Sequence, residues 1–269
     1  MFTSELKRAF LGYPFWISLL IGILISCAHI FVTVIPEYQL SLQFPSFMPD
    51  SAFGRWIGAW GTSPLTYLFY FVCPFLATAP YGWSLYSDFK NGYAKQIFTR
   101  TSKFNYLTSK TLAVFLSGGA VCTVPVILDF LGCACILPLI QPDPISIGDV
   151  MIYPYDWCAD LYFSNILLYT IMYWGITFAA TGMLACSALA FGCMLPNQAL
   201  TTLSPFIVCT ILSQVFTSTG LYSLIPTNFI HAGQLAGALI PEHVLFFFIV
   251  TSLLVFILLA KTTKEDFFA

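Results

Sequence analysis

The densest group of chemically active side chains in this chain is a run of basic residues. Half of the ten Lys and Arg residues fall within positions 87–110, namely Lys90, Lys95, Arg100, Lys103 and Lys110. One such residue at the centre of a bilayer costs about 2.5–3.5 kcal/mol on insertion scales. The stretch is therefore expected to lie in water, where its chemistry is that of positive charge.

Residue types that perform covalent or metal chemistry show no supporting pattern. The three histidines, His29, His231 and His243, lie outside any His-Glu-x-x-His or Gly-x-Ser-x-Gly sequence. The chain also has no Gly-x-x-x-x-Gly-Lys-Ser/Thr phosphate loop. We therefore assign no catalytic residue, no metal ligand and no bound cofactor to this chain, with an intramembrane enzyme kept as an alternative.

The nine cysteines have no zinc-like spacing. Most of them lie in apolar runs, where a cysteine is usually a small buried hydrophobe. Cys133, Cys135 and Cys158 fall near the expected outer face of the protein. A disulfide among these three is a hypothesis that requires that face to be oxidising.

Membrane-spanning helices must hold these residues. Hydrophobic residues make up 58% of the chain and charged residues 8%, whereas a soluble domain carries about 25% charged residues. A spanning helix needs about 20 mostly apolar residues. The net charge of −2 gives no indication of a nucleic-acid partner. The sequence therefore predicts an all-α membrane protein with six transmembrane helices in one domain, over residues 14–35, 64–86, 111–137, 161–190, 199–218 and 243–260.

Three elements outside the spans complete the predicted organisation. In residues 1–12, apolar side chains recur near helical spacing while charged side chains fall on other faces, as in an amphipathic helix at the inner membrane surface. Residues 87–110 form a cytoplasmic loop between spans two and three. Residues 219–242 are broken by Gly and Pro and too short to cross twice, so we expect a re-entrant outer segment.

The basic residues also predict the orientation. With six spans, nine of the ten Lys and Arg residues fall on one side of the membrane and only Arg55 falls on the other. Cytoplasmic loops carry the excess of basic residues. Both termini are therefore expected in the cytoplasm.

One acidic residue lies inside a predicted span. Asp129 follows Lys110 by 19 residues, which is about 28 Å along a helix. This distance places it near the outer interface, so we expect a snorkelling or capping carboxylate, with a proton relay as the alternative.

The loop has helical features of its own. Asp88 stands where a helix is expected to begin, and Phe89, Tyr93 and Ile97 form an apolar stripe at i, i+4 and i+8. Thr101 or Ser102 is expected to cap a second helix that continues into the third span. The alternative is that the loop only fixes the orientation of the chain.

At these residues the sequence resembles the membrane subunits of type-2 ABC exporters, the ABC-2 permease family. The family shows an acidic residue after the second span, then a Gly, an Arg and a Lys that opens the third span. Asp88, Gly92, Arg100 and Lys110 match this pattern, although the acidic residue is more commonly Glu. The sequence Asp-Phe-Lys-Asn-Gly-Tyr is most similar to the subgroup of bacteriocin and lantibiotic transport or self-protection systems.

The resemblance implies a function and its partners. Such a permease lies in the bacterial cytoplasmic membrane, pairs with a second permease copy or paralogue, and docks on a separate ATPase subunit that binds ATP and Mg. Its substrate would be a peptide or an amphipathic, lipid-like molecule, and membrane lipid surrounds it. The alternative is a non-transporting immunity or sensor protein. The residues implied to contact the ATPase subunit are Asp88, Lys90, Gly92, Tyr93, Lys95 and Arg100.

The resemblance also places spans two and five at the dimer axis, where a transport route would run. Candidates for lining that route are Tyr67, Tyr70, Phe71, Ser213 and Gln214. The alternative for the polar members of this set is hydrogen bonding between neighbouring helices.

Overall fold

The computed structural model describes the chain in six segments, which are residues 1–44, 51–59, 61–142, 152–153, 156–234 and 240–264. Every regular element in these segments is a helix. An all-α architecture is therefore confirmed over the described part of the chain.

The N-terminal part forms a short helix followed by a long one. Helix α1 covers Phe2–Leu11. Helix α2 covers Tyr13–His29 and has a proline in its first turn, where the missing N–H costs no helical hydrogen bond. A π-helix at Ile30–Val34 and helix α3 at Ile35–Gln43 continue α2 without a turn between them.

The predicted second span is shorter than expected. Helix α4 covers Ala52–Arg55, and helix α5 covers Pro64–Thr78. The prediction of one span over residues 64–86 is wrong at its end, because residues 79–83 form turns around Pro80. Proline lacks the N–H that would continue the helical ladder.

The basic loop contains two short helices. Helix α6 covers Ser84–Lys90 and helix α7 covers Tyr93–Phe98. The predicted single helix beginning at Asp88 is wrong in its start and in its continuity. Gly92 separates the two helices with a φ of 72°, a left-handed conformation that glycine adopts without the steric cost of a Cβ atom.

The predicted cap after the loop is confirmed. Helix α8 covers Lys103–Ile136, and the Ser102 hydroxyl oxygen accepts a hydrogen bond from the Asn105 amide at 3.3 Å. This bond satisfies one of the amides that a helix start leaves unpaired. The helix that contains the predicted third span therefore begins well before residue 111.

The second half of the chain contains two long helices after a short one. Helix α9 covers Ala159–Ser164, helix α10 covers Ile166–Gly192 and helix α11 covers Gln198–Thr219. The chain breaks at Asn165, so the predicted helix over residues 161–190 is wrong at its start. The side chain of Asn165 accepts a hydrogen bond from the Leu168 amide and starts α10 as its cap.

The C-terminal part has two short helical elements before its last long helix. A 3-10 turn at Tyr222–Leu224 and helix α12 at Pro226–Phe229 precede helix α13 at Pro241–Lys264. Phe229 and Ile230 are buried against the helices. The middle of the predicted re-entrant segment, residues 235–239, lies outside the described residues.

Several of these helices suit a membrane. Two shorter apolar helices cover Pro64–Thr78 and Pro241–Ile257. Apolar helices of this kind make the chain a multi-pass membrane protein. Among the described residues, four helical runs are long and apolar enough to cross a bilayer, namely Tyr13–Gln43, Lys103–Ile136, Ile166–Gly192 and Gln198–Thr219.

Helices α8 and α10 pack along each other at the centre of the bundle. Gly118 of α8 lets both α10 and α5 approach closely, because a Cβ atom there would collide with the Ala185 Cβ of α10 and would lie 2.7 Å from the Ala77 carbonyl oxygen of α5. One apolar core lies around the first half of α8, near the basic loop, and the other lies around its second half. We call these two ends of the bundle the loop end and the far end.

Candidate functional site

The side chain of Asp88 is the centre of a buried group of charges at the loop end. Its two carboxylate oxygens accept hydrogen bonds from the Arg8 guanidinium, at 2.8 Å to Oδ1 and 3.2 Å to Oδ2. The Tyr106 hydroxyl donates to Oδ2 at 2.7 Å. Asp88 is only 3% exposed, so its charge is balanced inside the protein.

A buried lysine lies on the other side of the same carboxylate. Lys110 is fully buried, and its Nζ donates to Asp88 Oδ2 and, at 3.0 Å, to the Tyr106 hydroxyl oxygen. The same Nζ lies 3.5 Å from Glu5 Oε2. Lys110 therefore joins α8 to both α6 and α1.

Glu5 completes the group from the N-terminal helix. It is 1% exposed and accepts hydrogen bonds from the Tyr81 hydroxyl at 2.7 Å and from Arg8 at 3.2 Å. Glu5, Arg8, Asp88 and Lys110, which we call the ion cluster, carry two negative and two positive charges. Their balance matters because an unpaired buried charge is costly.

Aromatic faces enclose the two cations of the ion cluster. Arg8 lies over the Tyr93 ring at 4.8 Å, and Lys110 lies 5.0 Å from the Tyr106 ring centre and 5.2 Å from that of Tyr81. A cation over an aromatic face gains about 0.5–2 kcal/mol. The rings of Tyr81 and Tyr106 help to exclude water from the buried Lys110, whereas the Arg8 side chain remains partly exposed.

The local helix geometry brings the ion cluster together. Glu5 and Arg8 are three residues apart on α1, and Tyr106 and Lys110 are four apart on α8, so each pair shares one helix face. Asp88 lies in the last turn of α6 and fills the space between the two pairs. The ion cluster therefore fixes three helices relative to one another.

The neighbours of Asp88 and Arg8 keep both groups charged. Burial disfavours the carboxylate, but the hydrogen bond from Arg8 and the charge of Lys110 outweigh it and lower the pKa of Asp88 below its ordinary 3.8. Burial disfavours the guanidinium as well, yet the hydrogen bond to Asp88 and the nearby negative charges raise the pKa of Arg8 above its usual range. The pair is ionised at neutral pH.

The structure divides the predicted loop residues into a buried and an exposed set. Asp88 faces inward, whereas Lys90, Lys95 and Arg100 are exposed, and Tyr93 is 38% exposed. Gly92 has no atom within 4 Å of the place where a Cβ would be. The outward surface of the loop is therefore polar and basic.

Four members of this site were not predicted, namely Glu5, Arg8, Tyr81 and Tyr106. The sequence placed Glu5 and Arg8 on polar faces of an amphipathic helix at the membrane surface. Glu5 and Arg8 are three residues apart and so lie on one helix face. In a chain with few charges, this spacing indicates that the two side chains share a partner. Tyr81 and Tyr106 give no such signal, because many tyrosines lie near the predicted span ends.

Most of the predicted route residues meet at one cavity of about 280 Å³, toward the far end of the bundle. Gln214 is not among the lining residues and is exposed on α11. The cavity lies between α5, α11 and the segment that contains α12. It is lined by Tyr67, Tyr70, Phe71 and Ser213 from the predicted set, and by Thr66, Thr217, Tyr222, Ile225, Thr227, Asn228 and His231.

The polar groups of this cavity suit an uncharged ligand with hydrogen-bonding groups. The Tyr70 hydroxyl and the Thr66 hydroxyl are buried without a hydrogen-bond partner among the described residues. The His231 ring packs on the Tyr70 ring at 5.1 Å between centroids. Ser213 instead donates to the Cys209 carbonyl oxygen of its own helix at 2.7 Å, so its hydroxyl is already satisfied.

The cysteines are thiols throughout. Cys133, Cys135 and Cys158 are free, so the hypothesis of a disulfide among them is wrong for this structure. The Cys133 thiol points at Asp129 Oδ2, at 3.9 Å, inside the bundle. Within the described segments, no group of three His, Cys, Asp or Glu side chains is placed to hold a metal ion.

Comparisons of the chain with models of protein families, with curated proteins and with solved structures each found no match.

Proposed function

We propose that this chain is the membrane-spanning permease subunit of an ABC-2 type exporter, driven by ATP hydrolysis on a separate subunit that binds ATP and Mg. The observation that carries this proposal is the construction of the loop at residues 84–100. Its outward surface is basic and exposed, while the ion cluster fixes its inner surface to α1 and α8. These features are expected of a coupling element that a soluble partner binds and moves.

The exposed side of the loop defines the proposed docking surface. Lys90, Tyr93, Lys95 and Arg100 lie on it, and the surface attracts a partner with acidic or polar groups. Asp88 contributes indirectly, because it is buried and holds α6 in place. The proposed ATPase contact of Asp88 is therefore a positioning role.

Movement of the loop has a path into the membrane through α8. Lys110 belongs to the ion cluster and to α8, which packs along α10 for much of its length. A displacement of α7 by the partner is thus transmitted through the ion cluster and α8 to the centre of the bundle. A loop that served only to orient the chain needs no such buried ionic attachment.

The cavity beside α5 and α11 is the proposed part of the transport route. Aromatic rings and hydroxyl groups line it, which suits a peptide or an amphipathic, lipid-like substrate. A second copy or a paralogue would complete the route. The lining contains no Asp, Glu, Lys or Arg side chain.

The proposed location is the bacterial cytoplasmic membrane, with six spans and both termini in the cytoplasm. The basic loop supports this orientation through the excess of Lys and Arg that cytoplasmic loops carry. Lipid chains would cover the apolar groove of about 720 Å³ between α8, α10 and α13.

Affinity purification of the tagged full chain from its native membrane tests this proposal. An ATP-hydrolysing subunit is expected to co-purify, and Lys95→Glu is expected to reduce its yield about tenfold, because the substitution reverses an exposed charge on the docking surface. Lys7→Glu is the matched control, since Lys7 is also exposed at the loop end but lies on α1.

Two results would contradict the proposal. The immunity or sensor alternative would be favoured if the chain purified alone and if cells that produce it were protected from a peptide toxin. Equal recovery of the ATPase with both variants would show that the docking surface lies elsewhere.

A further inference from the structure

A hollow of about 440 Å³ lies at the loop end, where α1 meets α2. Its lining includes Lys7 and Arg8 from α1, Tyr13 from α2, and Tyr81 and Trp83 from the turns that follow α5. Two of the lining side chains are cationic and none is acidic. We call this space the elbow hollow, and its charge favours an anionic ligand.

The elbow hollow lies where the chain enters the membrane. The apolar run Tyr13–Gln43, which is long enough to cross a bilayer, begins at one of the lining residues of the hollow. The start of a spanning helix lies near the membrane–water interface. Tyr13 is 85% exposed at this point, and tyrosine and tryptophan side chains are enriched at the level of the lipid headgroups. A ligand in the hollow would therefore lie at the depth of those headgroups.

Lys7 gives the elbow hollow its net positive charge. Its side chain is exposed and has no ion pair or hydrogen bond with another described residue. The charge of Arg8 is balanced, but only three of its five N–H groups are used, because Nη1 donates to Glu5 and Asp88 and Nη2 donates to Asp88. Its other two N–H groups have no acceptor within the described segments. Such N–H groups suit the oxygens of a phosphate.

The buried carboxylates of the bundle leave Lys7 available for a ligand. Those of the ion cluster are balanced within that cluster. Asp129 is fully buried at the far end, where its two oxygens lie 3.0 Å from His29 Nδ1 and 2.6 Å from the Ile57 amide nitrogen. The expectation that Asp129 snorkels to the interface is therefore wrong, and this carboxylate does not compete for the cations of the elbow hollow.

An exposed apolar stripe on α2 leads from the elbow hollow into the membrane. Tyr13, Trp16, Leu20 and Leu24 follow one another at spacings of three or four residues, so they share one helix face. Their side chains are between 57% and 85% exposed. The rise from the first to the last of them is about 16 Å, which is close to half of a hydrocarbon core of about 30 Å. The stripe is therefore about as long as the acyl chains of one leaflet.

We propose that the elbow hollow binds one anionic phospholipid, with the phosphate at Lys7 and Arg8 and the acyl chains along the stripe of α2. A soluble anion would contact the two cations but would gain nothing from the stripe. A phospholipid uses both the positive charge and the apolar surface, so the observations favour the lipid. This site acts whether or not the chain has an ATPase partner.

Native mass spectrometry of the full chain in detergent tests the charge of the ligand. Phosphatidylglycerol is expected to bind more tightly than the uncharged phosphatidylcholine. Lys7→Glu should weaken the binding of phosphatidylglycerol about fivefold or more, whereas Lys7→Arg should bind it normally. Lys95→Glu is the matched control, because it reverses an exposed charge outside the hollow. Equal affinity for the two lipids, or equal losses in Lys7→Glu and Lys95→Glu, would overturn the proposal.

Recovery of the proposed ATPase subunit separates this proposal from the proposed function. Lys7→Glu should lose the lipid and retain the ATPase, and Lys95→Glu should do the reverse. A chain that selects phosphatidylglycerol through Lys7 but recovers no ATPase would contradict the proposed function alone. A chain that recovers the ATPase but does not select the anionic lipid would contradict the lipid site alone.

Photo-crosslinking in lipid nanodiscs tests where the acyl chains lie. Phosphatidylglycerol with a photoreactive group on an acyl chain is expected to label the stripe of α2, and unlabelled phosphatidylglycerol should compete with it. Inorganic phosphate at the same concentration should not. Competition by inorganic phosphate would assign the hollow to a soluble anion, and labelling confined to other helices would place the lipid elsewhere. Either result would overturn the proposal.

Discussion

Arg8 Nη2 lies 2.8 Å from Asp88 Oδ1 across 80 positions of sequence. This ion pair makes the N-terminal helix part of the support of the basic loop. An amphipathic helix that only floats on the membrane surface would not need a buried carboxylate as a partner. We therefore treat α1, α6 and the start of α8 as one mechanical unit, and the predictions below test that unit first.

Removing the guanidinium should loosen α1. Arg8→Gln is expected to lower the stability of the α1–loop contact by about 1 kcal/mol, a modest value because the Arg8 side chain is 40% exposed. Limited proteolysis in detergent should then release residues 1–11 faster than in the unmodified chain. Lys7→Gln, which removes an exposed charge from the same helix, should leave the cleavage rate unchanged. Equal rates for all three proteins would count against the ion pair.

The ion cluster should show strong coupling between its members. Lys110→Met leaves a net negative charge in the interior and is expected to cost about 3–5 kcal/mol. Adding Asp88→Asn restores the charge balance, so the double variant should lose about 1–3 kcal/mol less than the sum of the single variants. Denaturation of the four proteins in detergent measures this cycle. Additive losses would show that the two side chains do not interact.

The pH dependence of the α1–loop contact follows from Asp88. Its pKa in the folded protein lies below the ordinary 3.8, so its contribution to stability is complete above pH 3.8 and is lost as the pH falls through the lower, folded value. After correction for the intrinsic pH dependence of amide exchange, the protection of α1 should therefore be constant from neutral pH down to about pH 4 and should fall only in stronger acid. In Asp88→Asn the acid-induced fall should disappear. A fall near pH 6 in the unmodified chain would point to another group.

Gly92, which has a left-handed backbone conformation between α6 and α7, allows a matched pair of variants. Gly92→Ala introduces a Cβ atom at a φ of 72° and should cost about 1–2 kcal/mol of strain, although nothing crowds the position. Gly92→Asn should cost less, because Asn tolerates this conformation better. Binding of the proposed ATPase subunit should weaken with Ala and recover in part with Asn. The same loss with both residues would indicate a steric requirement at the docking surface.

The cavity gives a second matched pair on adjacent residues of α11. Ser213→Trp places a large ring in a cavity of about 280 Å³ and should abolish transport while the proposed ATPase subunit still binds. Gln214→Trp adds the same ring to an exposed residue outside the lining and should leave transport near normal. Loss of transport with Gln214→Trp alone would place the route on the outer face of α11.

Hydrophobicity predicted the helical spans better than their ends. The long helices α10 and α11 lie near their predicted positions, because an apolar run of that length has few other folds. The ends depend on single contacts that hydropathy does not register. Helix α5 ends at Thr78, shortly before Pro80, and the Asn165 side chain starts α10 with a cap.

Only part of the candidate site could be predicted from the sequence, because its remaining members depend on tertiary contacts. Asp88 and Lys110 stood out because charges are rare in this chain, but their burial depends on partners far away in sequence. Glu5 meets Lys110 only after α1 folds back onto α8, and His29 meets Asp129 across 100 positions. Contacts of that range follow from tertiary packing and not from local spacing.

Helix α8 is a single element of 34 residues, about 50 Å long, and it carries Lys110 near one end and Asp129 near the other. A helix that is held at both ends can turn a small tilt at one end into a displacement at the other. The pivot of such a lever would lie near Gly118, where α5, α8 and α10 meet. Events at the loop end and at the far end of the bundle would then be mechanically linked by one continuous helix.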